Sequence, residues 1–461
     1  MKSTLITLSL LAIIVSNQEN QNLRTLQTGQ NSGSSTNTYD YTSIKATREV
    51  DYSRTISSPS LIEASAADTS VVYVYDSSEA KINSVTLSKL GGDSSNISNS
   101  EFYGVNAALL VNGATVTLTN ITIITNAIGA NAVFATNSGT ISITGGVILS
   151  TGTSSARGLD ATYGGTIRAT GLTIATSGGS CATLATDRGE GTVTCTSCNL
   201  TTVGAGSPLI YSTGDITISS STGTATAAQM VVVEGKNSAT VLYSTLKCTG
   251  VGNTDNKVDN CGVMIYQSQS GDAEDGQGSF TASDSTMEIL STSSVYKTAP
   301  MFFVTNTKAN ITLYNVNFTY GSGIFIDIKG TDKWGTSGSN GGDVIITATK
   351  QDIVGDIVID DYSSLTLNLN TFSSFKGTIN AAKSSGTINI VVDSYSTITL
   401  TGDSTINQLT NSDSSGNNIN TGDYTLTTDD SSGSGNGSGS DGKANYLQFY
   451  VLNLLLIIMI L

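Results

Sequence analysis

The sequence predicts an all-β solenoid of roughly a dozen coils, with parallel strands stacked one coil above the next. Three observations predict it. First, one phrase recurs about every 24–26 residues, the mark of a repeat architecture. An apolar pair leads to a small polar turn, then Thr-x-Thr-x-Thr, a second apolar pair, and Gly or Asn. The phrase occupies residues 109–119, 133–144, 159–170, 184–196, 210–219 and 232–244. Second, apolar and polar residues alternate inside each phrase. Val116 and Leu118 interleave with Thr115, Thr117 and Thr119, and Ile141 and Ile143 with Thr140, Ser142 and Thr144. A period of two is a strand with one buried face, and β-branched side chains pack well on that pleated surface. Third, a coil this short cannot bury its own core and must stack on its neighbours. Strands one coil apart then pair in parallel at about 4.8 Å, giving a rod of roughly 55–60 Å.

The elements follow in chain order. Residues 1–17 carry one early Lys and an apolar run at 5–15, too short to span a bilayer. They read as a secretory signal peptide. Residues 18–45 are polar and aperiodic, a flexible leader. The solenoid is expected over 46–411, with polar insertions at 250–260 and 268–278. Residues 412–446 form a Ser/Gly-rich stalk. Residues 447–461 are almost wholly apolar. Small residues, a polar spacer and a terminal apolar tail describe a glycosylphosphatidylinositol (GPI) signal, with Asn436 as the anchored residue and Ser438 and Ser440 as neighbouring alternatives. The two ends predict an extracellular location on the plasma membrane, held through the lipid anchor. Sequons at Asn96, Asn120, Asn199, Asn310, Asn317 and Asn436 are the candidate glycan sites of such a chain.

Composition narrows the chemistry. The 461 residues hold no His, which removes Ser-His-Asp and Cys-His catalysis and His-ligated zinc. The net charge of −15, with no Lys/Arg cluster, argues against a nucleic-acid partner. Charged residues are only 12%, so the places where they gather are informative. They gather in the turn after the first strand of each coil, at Asp187, Arg188, Glu190, Glu234, Lys236 and Asp272, with Tyr163, Tyr211, Tyr266 and Gln267 nearby.

The segments 157–166 (RGLDATYGGT), 184–192 (LATDRGEGT), 232–238 (VVEGKNS) and 263–272 (VMIYQSQSGD) carry a likeness to a known class. Over about residues 100–410 the chain resembles the pectate-lyase-like proteins, and among them Thr-rich exported solenoids of poorly defined role. The resemblance implies a right-handed single-stranded parallel β-helix. It also implies two possible chemistries. One is a lyase that holds Ca²⁺ on carboxylates and uses Arg or Lys as base; the other is a hydrolase with closely spaced acids. In this chain Asp160, Asp187, Glu190 and Glu234 are the candidate Ca²⁺ ligands, and Arg188, Lys236 and Asp187 the candidate catalytic groups. The compact calcium motif of the class is not identifiable here.

Binding without chemistry needs exposed aromatic faces beside hydrogen-bonding groups. Tyr163, Tyr211, Tyr266, Gln267 and Trp334 are the carbohydrate-binding candidates; Trp334, the single Trp, acts either as a stacking platform or as a lid on the coil below. Among the cysteines, Cys248–Cys261 is expected to staple an insertion, Cys181 to pair with Cys195 or Cys198, and Cys195 to be the buried unpaired thiol. The Cys195-x-x-Cys198 spacing has no second pair to make a zinc site. The leading expectation is a non-catalytic surface protein acting in adhesion, coat structure or contact with carbohydrate or another cell surface. A polysaccharide lyase or hydrolase is the alternative. A Thr strip through Thr115, Thr140, Thr166, Thr192 and Thr217 adds an ice-binding solenoid as a second alternative.

Overall fold

The computed structural model describes residues 36–57, 59–253, 259–268 and 270–428. The signal peptide, most of the leader, the end of the stalk, Asn436 and the apolar tail lie outside the described residues. The chain is a parallel β-helix. Twelve strands stack as one continuous face, from Lys45–Val50 through Leu159–Ala161, Ile210–Ser212, Val231–Glu234 and Val263–Tyr266 to Asp356–Ile359, every neighbour pair parallel. A second and a third face complete each coil. Three long strands, Thr115–Thr125, Thr140–Ser150 and Thr166–Thr176, run across the corner between those two faces and join them into one sheet. Strand pairing continues to Leu426–Thr428.

One residue per coil makes that corner. Asn120, Gly145, Gly171, Ser197, Ser220, Tyr243, Asp284, Asn315 and Lys350 all have positive φ. A single left-handed residue turns the strand sharply without breaking the ladder on either side. Gly, Asn and Asp tolerate that conformation best, and they hold five of these nine corners; Ser197, Ser220, Tyr243 and Lys350 hold the others. Inside the corner the side chains stack like with like. Val116, Ile141, Ile167, Val193, Ile216, Ala239, Phe280, Ile311 and Ile346 form one continuous buried column. Each fully buried aliphatic side chain is worth about 1.5–3 kcal/mol of transfer free energy, so the interior column holds the rod together. The outward partners on this face are hydroxyls: Thr194, Thr217, Thr240, Thr281, Thr312 and Thr347 sit in straight register.

The cysteines differ from expectation. Cys195 bonds Cys198, while Cys181, Cys248 and Cys261 are buried thiols. The left-handed Ser197 folds the chain so that Cys195 and Cys198 both face the core across the corner, with Cα atoms 6.1 Å apart. That lies within disulfide reach. The expected Cys248–Cys261 staple does not form, because the two side chains point to opposite sides of the wall. Cys248 joins the interior core, whereas Cys261 packs on the outer side with Val232, Met264 and Phe303. Of the sequons, Asn96, Asn120, Asn199 and Asn317 are exposed; Asn310 is half-buried and accepts a hydrogen bond from Gln277.

Candidate functional site: a cleft on the first face

The first face differs from the other two in that its outer side is covered. Residues pointing outward from it, Tyr73, Leu110 and Phe134, are buried beneath the segment carrying Tyr39 and Tyr41. A short helix, Ile97–Tyr103, lies beside that cover, capped by the Asn96 side chain at its start and by left-handed Gly104 at its end. Tyr103 stacks between Tyr39 and Tyr163. Toward the other end of the rod, the insertions carrying Ser268–Asp272 and Lys333–Trp334 stand over the same face. Between these covers a cleft of about 270 Å³ remains. Its floor is Tyr211, Val232, Glu234, Met264 and Tyr266; its walls include Glu101, Phe102, Asp187, Asp272 and Trp334. The volume is near the lower end of ligand-pocket sizes.

Three electrostatic units make up the walls. The first is built on Arg157. Its Nη1 lies 2.8 Å from both Asp160 Oδ2 and Asp187 Oδ2, and its Nη2 is 3.9 Å from Glu101. Arg157 is 7% exposed, Asp160 0% and Asp187 3%. Burial pushes both Asp carboxyls up and Arg157 pulls them back; for Asp187 the burial prevails strongly. The other Asp187 oxygen accepts the Arg188 backbone N–H at 3.0 Å.

The second unit is Glu234, 1% exposed. Tyr211 and Tyr266 donate their hydroxyls to Oε2 at 2.7 and 2.8 Å. Pairing explains the placement: Tyr266 lies directly opposite Glu234 on the next coil, while Tyr211 projects outward from the coil before. Oε1 accepts no well-formed hydrogen bond among the described residues. The Ser268 hydroxyl lies beside it, engaged with Ser270 at 2.6 Å. Burial raises the Glu234 carboxyl, and nearby Asp272 adds to the rise. Both phenols are pushed well above the ordinary range by burial and then by the Glu234 charge.

The third unit is a strut across the cleft. Arg188 donates from Nε and Nη2 to Asp272 Oδ1, each at 3.2 Å, and its guanidinium sits 3.8 Å over the Phe102 ring. Helix and insertion are thereby tied together. At the mouth, Trp334 packs 5.5 Å from Tyr266, with Lys333 Nζ 4.4 Å from the indole.

The structure thus brings together Asp187, Arg188, Tyr211, Glu234, Tyr266, Asp272 and Trp334 of the residues singled out from sequence. Trp334 packs on the Tyr266 ring. The rest go elsewhere. Tyr163 stacks on Tyr103 outside the cleft. Gln267 donates to the carbonyls of Ser268 and Ala273 and shapes the insertion. Asp160 lies behind the wall. Glu190 and Lys236 form an exposed ion pair at 2.7 Å, with Glu274 on the other side of the ammonium at 2.8 Å. The expected calcium set of Asp160, Asp187, Glu190 and Glu234 does not assemble. Among the described residues no three carboxylates or thiols converge as metal ligands, because each of these four is claimed by an Arg, a Lys or a pair of phenols.

Sequence reading missed Glu101, Phe102, Arg157, Met264 and Lys333. The helix had a signal, Asn96 before it and Gly104 after it. Arg157 and Asp160 had another: a charged pair three residues apart around a strand that is otherwise apolar. No family model matches this chain, and no curated protein or solved structure matches it.

Proposed function

We propose that this chain is a secreted β-helix, held at the outer face of the plasma membrane by a lipid anchor, whose first-face cleft binds carbohydrate without transforming it. The observation that carries the binding reading is one juxtaposition. The faces of Tyr266 and Trp334 stand beside a buried carboxylate that two phenols hold in place. Sugars are recognised by aromatic faces together with fixed acceptors, and Val232 and Met264 supply an apolar floor. Adhesion to a glycan coat or to another cell surface follows naturally for such a rod. The test is a titration of the purified ectodomain with neutral and charged oligosaccharides, read by titration calorimetry. Binding that is lost in Trp334→Ala, with unchanged circular dichroism, is the expected result. No response to any saccharide up to millimolar concentration refutes the reading. Release of the protein from cells by a phosphatidylinositol-specific phospholipase tests the anchor separately.

A polysaccharide hydrolase or lyase of the pectate-lyase-like class is the second reading, and one observation favours its hydrolytic form. Glu234 sits in a water-poor site without a cation, while Asp272 is clamped by Arg188. Carboxyls in opposed environments are how an acid and a base are set apart. The lyase form has less support, since Arg188 is committed to Asp272 and Phe102 and Lys236 lies between two glutamates. Reducing ends released from a polysaccharide and lost in Glu234→Gln would move the assignment to a hydrolase.

A further inference from the structure

The cleft has a charge preference that the carbohydrate reading by itself does not state. Its walls and the layer behind them hold five carboxylates, Glu101, Asp160, Asp187, Glu234 and Asp272, against Arg157, Arg188 and Lys333. Both arginines are spent on the protein's own acids. Arg157 faces Asp160 and Asp187 at 2.8 Å, and Arg188 holds Asp272 beneath the Phe102 ring. Among the described residues no cation pairs with Glu234: its partners are neutral hydroxyls, two phenols on one oxygen and the Ser268 hydroxyl beside the carboxyl, and its buried Oε1 lacks a well-formed bond. Phenols orient a carboxylate but do not neutralise it. The missing complement is therefore a positively charged donor arriving from the cleft.

We propose that the cleft selects an amine-bearing saccharide, a hexosamine with a free ammonium group, and rejects uronates. This inference rests on the carbohydrate reading above. In the bound state the sugar ring lies against Tyr266 and Trp334 and its ammonium meets Glu234. A uronate carboxylate would instead enter beside Glu234 and Asp272 with both arginines occupied. The burial that already raises Glu234 and Asp187 makes any added anion costly and an added cation favourable.

The experiment compares four probes of equal length on the wild-type ectodomain: glucosamine oligomers, their N-acetylated counterparts, neutral glucose oligomers and galacturonate oligomers. Titration calorimetry is run at low ionic strength and at a pH where the amine is protonated. The expected result is at least tenfold tighter binding of the amine form than of the N-acetylated or neutral form, and the weakest binding for galacturonate. In Glu234→Gln that tenfold advantage disappears while the weaker binding of neutral oligomers persists. Asp272→Asn provides a second variant, outside the strands, in which the advantage shrinks. Equal affinity for amine and N-acetyl forms overturns the inference but leaves the saccharide reading standing, as does tighter binding of galacturonate. Failure of all four probes overturns both.

Discussion

Arg157→Met is the substitution whose consequence follows most directly from the structure. It keeps much of the volume and the apolar stem but removes the charge. What remains is Asp160 at 0% exposure and Asp187 at 3%, each having lost a charge-assisted bond of 2.8 Å. Removing one member of a buried ion pair costs about 3–5 kcal/mol, chiefly because the surviving charge is uncompensated. Here two carboxylates survive, so the upper part of that range applies at neutral pH. The sign of the pH dependence is fixed by linkage. Without Arg157 the folded-state carboxyls titrate even higher than in the parent, whereas in the unfolded chain they titrate near 4. The folded variant thus binds more protons than the unfolded chain from about pH 4 upward, and its deficit grows as pH rises. Near pH 4 the deficit is small.

The assay is denaturant unfolding of parent and variant at pH 4 and pH 8, together with hydrogen exchange. Coils of a solenoid contact only their neighbours, so one global unfolding free energy is a poor descriptor and local opening is the better one. Amides of Leu159–Ala161 and Leu184–Thr186, the strands carrying the cluster, should lose protection; those of Thr387–Val392, many coils away, should not. A second variant, Arg157→Met with Asp160→Asn and Asp187→Asn, should recover most of the loss, because replacing a whole buried ion cluster by neutral groups is often nearly neutral. A deficit under about 1 kcal/mol at pH 8, an equal deficit at pH 4, or no recovery in the triple variant would each refute the reasoning.

Four further outcomes are expected. Glu234→Gln keeps an acceptor for Tyr211 and Tyr266 and removes a raised carboxyl, so its stability relative to the parent should increase as pH rises above about 4.5; a difference flat with pH, by thermal melting, would contradict this. Lys89 is fully buried, donates to the Ala66 carbonyl at 2.6 Å, and is pushed down to about 8 by burial; the parent should gain stability between about pH 8 and 10.5, and Lys89→Met should abolish that gain in denaturant titrations. Gly178→Ala should cost roughly 1–3 kcal/mol, since a methyl there runs into the Gly152 carbonyl, whereas Gly171→Ala meets no atom within 4 Å and incurs only the left-handed strain of about 1–2 kcal/mol. Cys195→Ala with Cys198→Ala closes no long loop and should lose no more than about 2 kcal/mol, while alkylation of the native protein should label none of Cys181, Cys248 and Cys261.

The repeat made the rod legible, and its physical reason is local. Alternation of Val, Ile and Leu with Thr is dictated by the pleat, and the Gly or Asn after the second strand of several coils suits one left-handed corner. Neither needs knowledge of distant residues. The cleft was legible only in part. Asp187, Tyr211, Glu234 and Tyr266 could be found because they lie on or just after first-face strands, so register alone stacks them. Asp272 and Trp334 are picked out by residue type, but where they and Phe102 come to rest over the cleft does not follow from the repeat, because a helix and two insertions interrupt it. Where such segments come to rest is set by what they cover, and that depends on side chains far away in sequence, as with Arg188 and Asp272, 84 residues apart.

The cysteines make the same point in reverse. Sequence spacing suggests that Cys248 and Cys261 bracket an insertion and should bond, yet a wall one strand thick separates them. Parity along a strand decides which side a side chain takes, and parity is lost across an insertion. At the left-handed corner it shifts by one in a fixed way, with two outward residues in succession, so Cys195 and Cys198 both face inward and meet. The same rule explains why the cleft described above sits on one face. Outward positions on the second face are pinned to the repeat and are mostly Thr, with Arg168, Asp215, Asn310 and Ile345 among the exceptions. Only on the first face do insertions cover the outer side, exclude water and make a buried charge such as Glu234 consequential. A variant with the insertion carrying Asp272 shortened to a tight turn should therefore keep its rod, by circular dichroism and by exchange protection on the second face. It should lose saccharide binding and return Glu234 toward an ordinary carboxyl. Retention of binding in that variant would show that the strands alone form the site.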